Sequence, residues 1–254
     1  MGMLCYTDAN RAAKAGIFMP GFELKKGARK LMRDNAPKLF FISILYIVIV
    51  NIMSYLQFYL PGTEYVYQQY LEQLAAGKLL STGAIYSYFR PSGIPLVLAL
   101  WLLTPVLDAG FMSFCLKTAR GSKGEYKYIF DGFLFFGKVI LIRIITAIFT
   151  ILWSLLFFFP GIVAYYRYSQ AYYILLDDPG KGALECISES KQLMRGRKLD
   201  LFLLDLSFIG WWALNIIIAV ILPISLPVLS IWLTPYFGLT RASYYDRLIS
   251  ALAA

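Results

Sequence analysis

The chain has 254 residues, of which 59% are hydrophobic and only 15% are charged, and its formal net charge is +9. Soluble domains carry about 25% charged residues, so this composition excludes an ordinary soluble protein and favours an integral membrane protein. Histidine is absent, and the three cysteines, Cys5, Cys115 and Cys186, are scattered. These facts exclude a zinc site of Cys and His ligands and a mechanism that needs an imidazole base.

The first predicted element is a basic helix that precedes any apolar stretch. Basic residues such as Arg29 and Lys30 occupy most of the helix surface, and the apolar residues recur at helical spacing: Leu24, Ala28, Leu31 and Met32. A helix of this kind lies along the inner membrane face with its basic side chains among anionic headgroups. We therefore expect Arg29 and Lys30 to contact anionic lipid.

Six hydrophobic stretches follow in three consecutive pairs. Four of them reach about 20 residues, the length of a helix that crosses about 30 Å of hydrocarbon. The two shorter stretches follow a proline break and are interpreted as the return legs of hairpins. The predicted fold is therefore all-α, a polytopic membrane protein with six transmembrane helices in three hairpins plus basic amphipathic juxtamembrane helices. The stretches are Leu39–Leu60, Gly93–Leu116, Val139–Phe159, Gly161–Leu176, Leu201–Leu222 and Pro227–Leu239.

A second basic helix is predicted before the fifth stretch, because Ala28–Arg33 is repeated closely as Ser190–Arg195. The repeat places Lys191 and Arg195 on a basic face like that of Arg29 and Lys30. We therefore count Lys191 and Arg195 as further candidate contacts for anionic lipid.

The domain prediction follows from these elements. Residues 1–38 form a cytoplasmic basic amphipathic segment, and residues 39–254 form one six-helix transmembrane domain. Within it, residues 61–92 form an outer loop and residues from about 181 to 196 form the cytoplasmic amphipathic helix. Lysine and arginine concentrate before the first stretch, between the second and third, and between the fourth and fifth. The positive-inside rule then places both termini in the cytoplasm.

Asp200 and five further ionisable residues lie within or just inside the predicted spans, and those five form a candidate intramembrane polar cluster: Asp108, Arg143, Arg167, Asp205 and Arg241. A charge at the bilayer centre costs at least about 2.5–3.5 kcal/mol, so such residues face the bundle interior and pair. Counting along a continuous helix places Arg167 near the midplane. We expect Asp205 to pair with Arg241 and Arg167 to meet Asp108. Structural ion pairs and a polar cavity for an ion or a headgroup both stay open as interpretations.

Several motifs resemble a family of bacterial integral membrane proteins known as the domain of unknown function 975 family. The resemblance runs from Leu152 to the C-terminus and includes a short piece near the N-terminus. It implies a six-helix protein of the bacterial cytoplasmic membrane and no activity, because the role of that family is uncharacterised. The pieces include Leu152–Leu156, Pro160–Ile162, Leu204–Trp211, Pro235–Tyr236, Thr240–Ala242 and Glu23–Lys25.

The expected function is that of a non-catalytic module that binds lipid or a partner protein. The sequence has no metal or nucleophile motif, so no enzyme activity, cofactor or metal is expected. The expected partner is a bilayer with anionic lipid on its cytoplasmic face, and a membrane protein partner or a homo-oligomer stays open. Nucleic acid is not expected, because the basic residues lack a folded polar domain. The alternative is a small transporter or lipid flippase that uses the intramembrane charges.

Overall fold

The computed structural model describes residues 21–59, 68, 71–77, 94–122, 125–221 and 228–253. Every regular element in these ranges is a helix, which confirms the all-α class. Most of the predicted outer loop, and the proline-flanked turn before the sixth stretch, lie outside the described residues. The elements are α1 (Gly21–Asp34), α2 (Lys38–Tyr59), α3 (Ile94–Ala119), a 3₁₀ helix (Tyr126–Phe130), α4 (Asp131–Leu134), α5 (Phe136–Leu156), α6 (Phe158–Tyr168), α7 (Ala171–Asp177), α8 (Ala183–Leu193), α9 (Lys198–Leu206), α10 (Ile209–Ile221) and α11 (Val228–Ala253).

Four helical segments in the described ranges are long and apolar enough to cross a membrane. They are Lys38–Gln57, Pro95–Ala119, Phe136–Leu156 and Lys198–Ile218. These segments overlap the first, second, third and fifth predicted stretches, so the membrane class is supported by the lengths of the helices themselves.

The fourth and sixth predicted stretches are not among these segments. A turn at Ser169 and Gln170 divides the fourth stretch into α6 and α7. The sixth stretch is the beginning of α11, whose second half carries Arg241, Asp246 and Arg247. The break before α6 also lies earlier than the predicted Pro160 turn. Its residue is Phe157, which has an extended backbone.

The described residues divide into two compact units, one comprising the chain up to Ile44 together with Val106 onwards, the other Leu45–Pro105. The smaller unit exposes large apolar side chains such as Val48, Ile52 and Leu98. The larger unit likewise exposes the outer parts of α5 and α10, for example Leu155 and Ile216. Extensive exposed apolar surface of this kind is typical of helices that face lipid.

Glycines allow the core of the larger unit to pack closely around α3. A Cβ atom at Gly110 would lie 1.8 Å from the carbonyl oxygen of Ile129, and one at Gly132 would lie 1.9 Å from that of Val106. The residue between these close contacts, Asp131, accepts a hydrogen bond of 2.6 Å from Lys117. The segment that leads into α5 is therefore fixed firmly against α3.

A charged network joins the ends of α3, α7 and α11. The Arg120 guanidinium donates to both carboxylate oxygens of Asp177, at 2.6 and 2.9 Å, and its Nε donates to Asp246 at 2.7 Å. The Tyr245 hydroxyl donates to Asp177 at 2.9 Å. Hydrogen bonding to Asp177 raises the pKa of Arg120, so this arginine stays charged and holds the three helix ends together.

Candidate functional site

The apolar stripe of α1 packs against protein. Leu24, Ala28 and Met32 are buried, and α1 contacts α11 and α9. Near the start of α1, the Lys25 ammonium donates to the carbonyl of Ser207 at 3.0 Å and lies 4.1 Å from the centre of the Phe208 ring. Burial, and then the nearby charge of Arg29, lower the pKa of Lys25. The apolar stripe of α1 is therefore covered by α9 and α11, and the expected contact of its basic side chains with lipid stays a prediction.

The opposite face of α1 forms a basic groove with the end of α11. Arg29 and Lys30, the predicted lipid contacts, are exposed there. Space is open at Gly27, where an added Cβ would meet no atom within 4 Å. The five basic residues of this groove face one acidic residue, so it suits a multiply charged anion such as a headgroup phosphate. We call it the α1–α11 groove; its lining is Glu23, Lys26, Gly27, Arg29, Lys30, Arg33 and Arg247.

The second basic helix, α8, is buried on its apolar side in the same way. Cys186, Ile187 and Leu193 are buried, and α8 packs against α5, α6 and α7. Burial raises the pKa of the Cys186 thiol to about 11. The predicted lipid contacts of this helix, Lys191 and Arg195, are exposed.

A buried serine fixes α8 to the junction of α6 and α7. The Ser190 hydroxyl donates to the carbonyl of Arg167 at 3.0 Å and accepts from the backbone amide of Gln170 at 3.2 Å. These backbone groups are free to bond Ser190 because the helix is interrupted at this turn. The break between α6 and α7 is therefore stabilised by α8.

The predicted repeat extends to the pattern of burial. Ala28 and Ser190 are fully buried, as are Leu39 and Leu201 at the starts of the helices that follow. Met32 and Met194 are buried as well. The two copies therefore use the same face for packing, although they pack against different helices.

The predicted pairing of Asp205 with Arg241 is present, between α9 and α11. Arg241 Nη2 lies 3.3 Å from Asp205 Oδ2, and the two side chains are 19% and 16% exposed. Tyr165 and Tyr166 lie beside the two charged groups. Breaking such a pair would leave one charge buried without a partner, which is more costly than removing both charges.

The other intramembrane candidates lie in two further places. Asp108 and Arg143 are both close enough to Tyr172 to act on its hydroxyl electrostatically. Arg167 lies beside Lys198, the first residue of a candidate span. The turn after α6 interrupts the continuous helix on which the count rested, so the midplane position of Arg167 stays a prediction. The pairing of Arg167 with Asp108 is not confirmed.

Sequence reasoning missed some residues of these sites. The sequence did not connect Arg247 with the basic face of α1, nor Lys198 with Arg167. No local pattern brings Arg247 next to α1, since the residues are far apart in the chain and meet only through packing. The repeat could have suggested the buried role of Ser190, because it aligns with Ala28 on the apolar stripe.

Together, the fold and these charged sites define an all-helical protein with helices suited to a membrane. The family model described as "Protein of unknown function (DUF975)" matches residues 159–252. This match supports the family that the motifs indicated, over the region from α6 to α11. The region contains Arg167, Ser190 and the Asp205–Arg241 pair, whereas α1 lies outside it. No curated protein and no solved structure matches the chain.

Proposed function

We propose that the protein is a non-catalytic module of the bacterial cytoplasmic membrane that binds anionic phospholipid headgroups at the cytoplasmic face. The observation that carries this proposal is the α1–α11 groove, where five basic residues face one acidic residue. Each well-placed base near an anionic membrane surface contributes about 1 kcal/mol of attraction. Two further exposed bases, Lys191 on α8 and Arg195 just after its end, add a second basic face.

In this proposal the chain crosses the membrane six times, with both termini in the cytoplasm. The helices α6 and α7 form the return leg of α5, and α11 forms that of α10. The contacts of α5 with α6 and of α10 with α11 support this arrangement. The distribution of lysine and arginine supports the orientation. The α1–α11 groove would then face the anionic headgroups of the inner leaflet.

The test measures lipid selectivity in bilayers that contain spin-labelled phosphatidylglycerol or spin-labelled phosphatidylcholine. The variant carries Arg29→Gln, Lys30→Gln, Lys191→Gln and Arg195→Gln. We expect the preference for phosphatidylglycerol to fall severalfold, because about 1 kcal/mol per base corresponds to about fivefold.

The matched control is Lys127→Gln, which removes an exposed lysine that already pairs with Glu125 at 2.6 Å. We expect this control to keep the selectivity of the unmodified protein. An unchanged preference in the fourfold variant would mean that these bases do not recruit anionic lipid.

The second candidate function is a small transporter or lipid flippase that uses the intramembrane charges. The Asp205–Arg241 pair favours it, because charges within spans often mark the path of a substrate. The same pair also suits a purely structural role, in which it fixes how α9 and α11 pack.

The double variant Asp205→Asn with Arg241→Gln separates these two roles. If the pair is structural, the double variant should recover most of the thermal stability lost in either single variant, since no lone charge remains. As a substrate site, the double variant should fold but lose lipid translocation or solute uptake in proteoliposomes. Wild-type transport by the folded double variant would rule out a role of these two charges in transport.

A further inference from the structure

A second feature, separate from the α1–α11 groove, lies between α5 and α6. An apolar groove is lined by Trp153 of α5 and by Phe159, Pro160, Val163, Ala164 and Arg167 of α6. From Phe159 to Arg167 it follows α6 for eight residues, about 12 Å at 1.5 Å per residue. Val163 is 51% exposed, so the groove is open along its side.

The two walls of this groove have a fixed separation. A Cβ at Gly161 would lie 1.9 Å from Ser154 Oγ, so the two helices are already in close contact beside the groove. Val163 and Phe159 face outwards from this contact and are exposed. The groove is therefore a lasting feature of the packed pair and suits a flexible hydrocarbon chain.

The inner end of the groove is cationic. The Nε atom of Arg167 is buried and has no hydrogen-bond partner among the described residues. A ring contact between Tyr166 and Phe202 brings α9 alongside α6. Lys198 at the start of α9 lies near both Arg167 and Arg195. Lys198 is therefore within electrostatic range of two further positive charges, and like charges placed in this way favour an anion beside them.

We propose that this groove is a specific site for one anionic phospholipid, with an acyl chain along α5 and α6 and the phosphate held by Arg167, Lys198 and Arg195. Arginine suits this role because its planar guanidinium donates two parallel hydrogen bonds to a phosphate. The apolar length of the groove selects a lipid over a free anion. The proposal rests on the membrane placement given above, but it does not depend on the α1–α11 groove.

The test titrates the purified full chain in detergent with phosphatidylglycerol and measures lipid binding by native mass spectrometry. We expect one tightly held lipid on the unmodified protein. Arg167→Gln should weaken it about tenfold, which corresponds to loss of about 1.4 kcal/mol of binding free energy. Arg167→Lys should restore part of the affinity, because the charge returns without the planar geometry.

A second variant tests the apolar part of the site. Val163→Trp fills the groove from its exposed side, so it should block the lipid while the protein remains folded. Lys127→Gln is the matched control, because this exposed lysine pairs with Glu125 and is not part of the groove lining. The lipid affinity of this control should equal that of the unmodified protein. Circular dichroism and gel filtration check the fold of each variant.

Three outcomes would overturn the proposal. They are unchanged affinity in Val163→Trp, unchanged affinity in folded Arg167→Gln, and displacement of the lipid by millimolar inorganic phosphate. The last would indicate a site for a free anion. The proposed binding of anionic headgroups at the membrane surface has its own test, which is the fourfold variant at positions 29, 30, 191 and 195. Because Arg195 belongs to both sites, the pair Arg29→Gln and Lys30→Gln distinguishes them: it should leave the tightly held lipid in place.

Discussion

The helices α1 and α8 repeat one pattern, and they differ in the way each is held. Both bury an apolar stripe that ends in a methionine, Met32 or Met194, and both expose basic residues on the other side. A lysine holds α1, since the Lys25 ammonium contacts the Ser207 carbonyl. A fully buried serine holds α8, since Ser190 bonds the backbone on both sides of the turn between α6 and α7.

This difference shows how a repeated sequence acquires two roles. The contact of Lys25 is on the protein surface and tolerates local movement, whereas that of Ser190 satisfies buried backbone groups that have few alternatives. The helix α8 is therefore part of the packing that shapes the α6–α7 break and the groove beside it. The helix α1 is an attached element whose basic face lines the α1–α11 groove.

The largest effect on stability is expected from the apolar stripe that each of the two helices buries. Met32→Ala and Met194→Ala each remove a buried side chain, and each should cost about 2–5 kcal/mol of stability. The measurement is unfolding in mixed micelles of increasing denaturing detergent. Lys30→Ala and Lys191→Ala are the controls on the exposed faces, and they should stay within about 0.5 kcal/mol of the unmodified protein. Equal stability of Met194→Ala and its control would refute the packing of α8.

A smaller effect is expected from exchanging the aligned residues Ser190 and Ala28. Ser190→Ala leaves the Arg167 carbonyl and the Gln170 amide without a partner and should cost about 1–3 kcal/mol. It should also speed alkylation of Cys186, whose burial and raised pKa keep it slow at pH 8. Peptide mapping by mass spectrometry measures this rate.

The reciprocal change, Ala28→Ser, provides the comparison. Its hydroxyl can bond the carbonyl one turn earlier in α1, so the loss should be smaller than that of Ser190→Ala. If Ala28→Ser proved the more damaging of the two, the account of how α8 is held would be wrong.

The smallest effect is expected from Lys25→Met, which removes the polar contact of α1 alone. The ammonium is partly exposed, so the loss should be about 1 kcal/mol or less. Hydrogen exchange should increase in residues 21–34, while the alkylation rate of Cys186 stays unchanged. A faster Cys186 reaction in this variant would show that the two helices are coupled.

The sequence predicted those features that depend on composition and spacing. Long apolar segments give spans such as Lys38–Gln57. A short proline-flanked connection implies antiparallel packing, and the Asp205–Arg241 pair follows from it. The matching burial of Met32 and Met194 follows from the repeat.

The remaining features depend on tertiary contacts that no local pattern contains. The turn at Ser169 and Gln170 has neither glycine nor proline, and it is stabilised from α8 by Ser190. A count along a single helix therefore overlooks the interruption between Arg167 and Asp177. The sequence does not predict that Arg247 lies close to α1 either, because this proximity depends on the packing of α11.

The central claim is that the basic faces of α1 and α8 lie on the cytoplasmic side of the membrane. It is tested most directly by labelling intact cells with a membrane-impermeant maleimide, in a variant without the native cysteines. Two exposed positions, Glu72 and Lys191, are replaced one at a time by cysteine. The account predicts that the thiol at position 72 reacts from outside and that the thiol at position 191 reacts only after lysis. Reaction at position 191 in intact cells, without reaction at position 72, would contradict it.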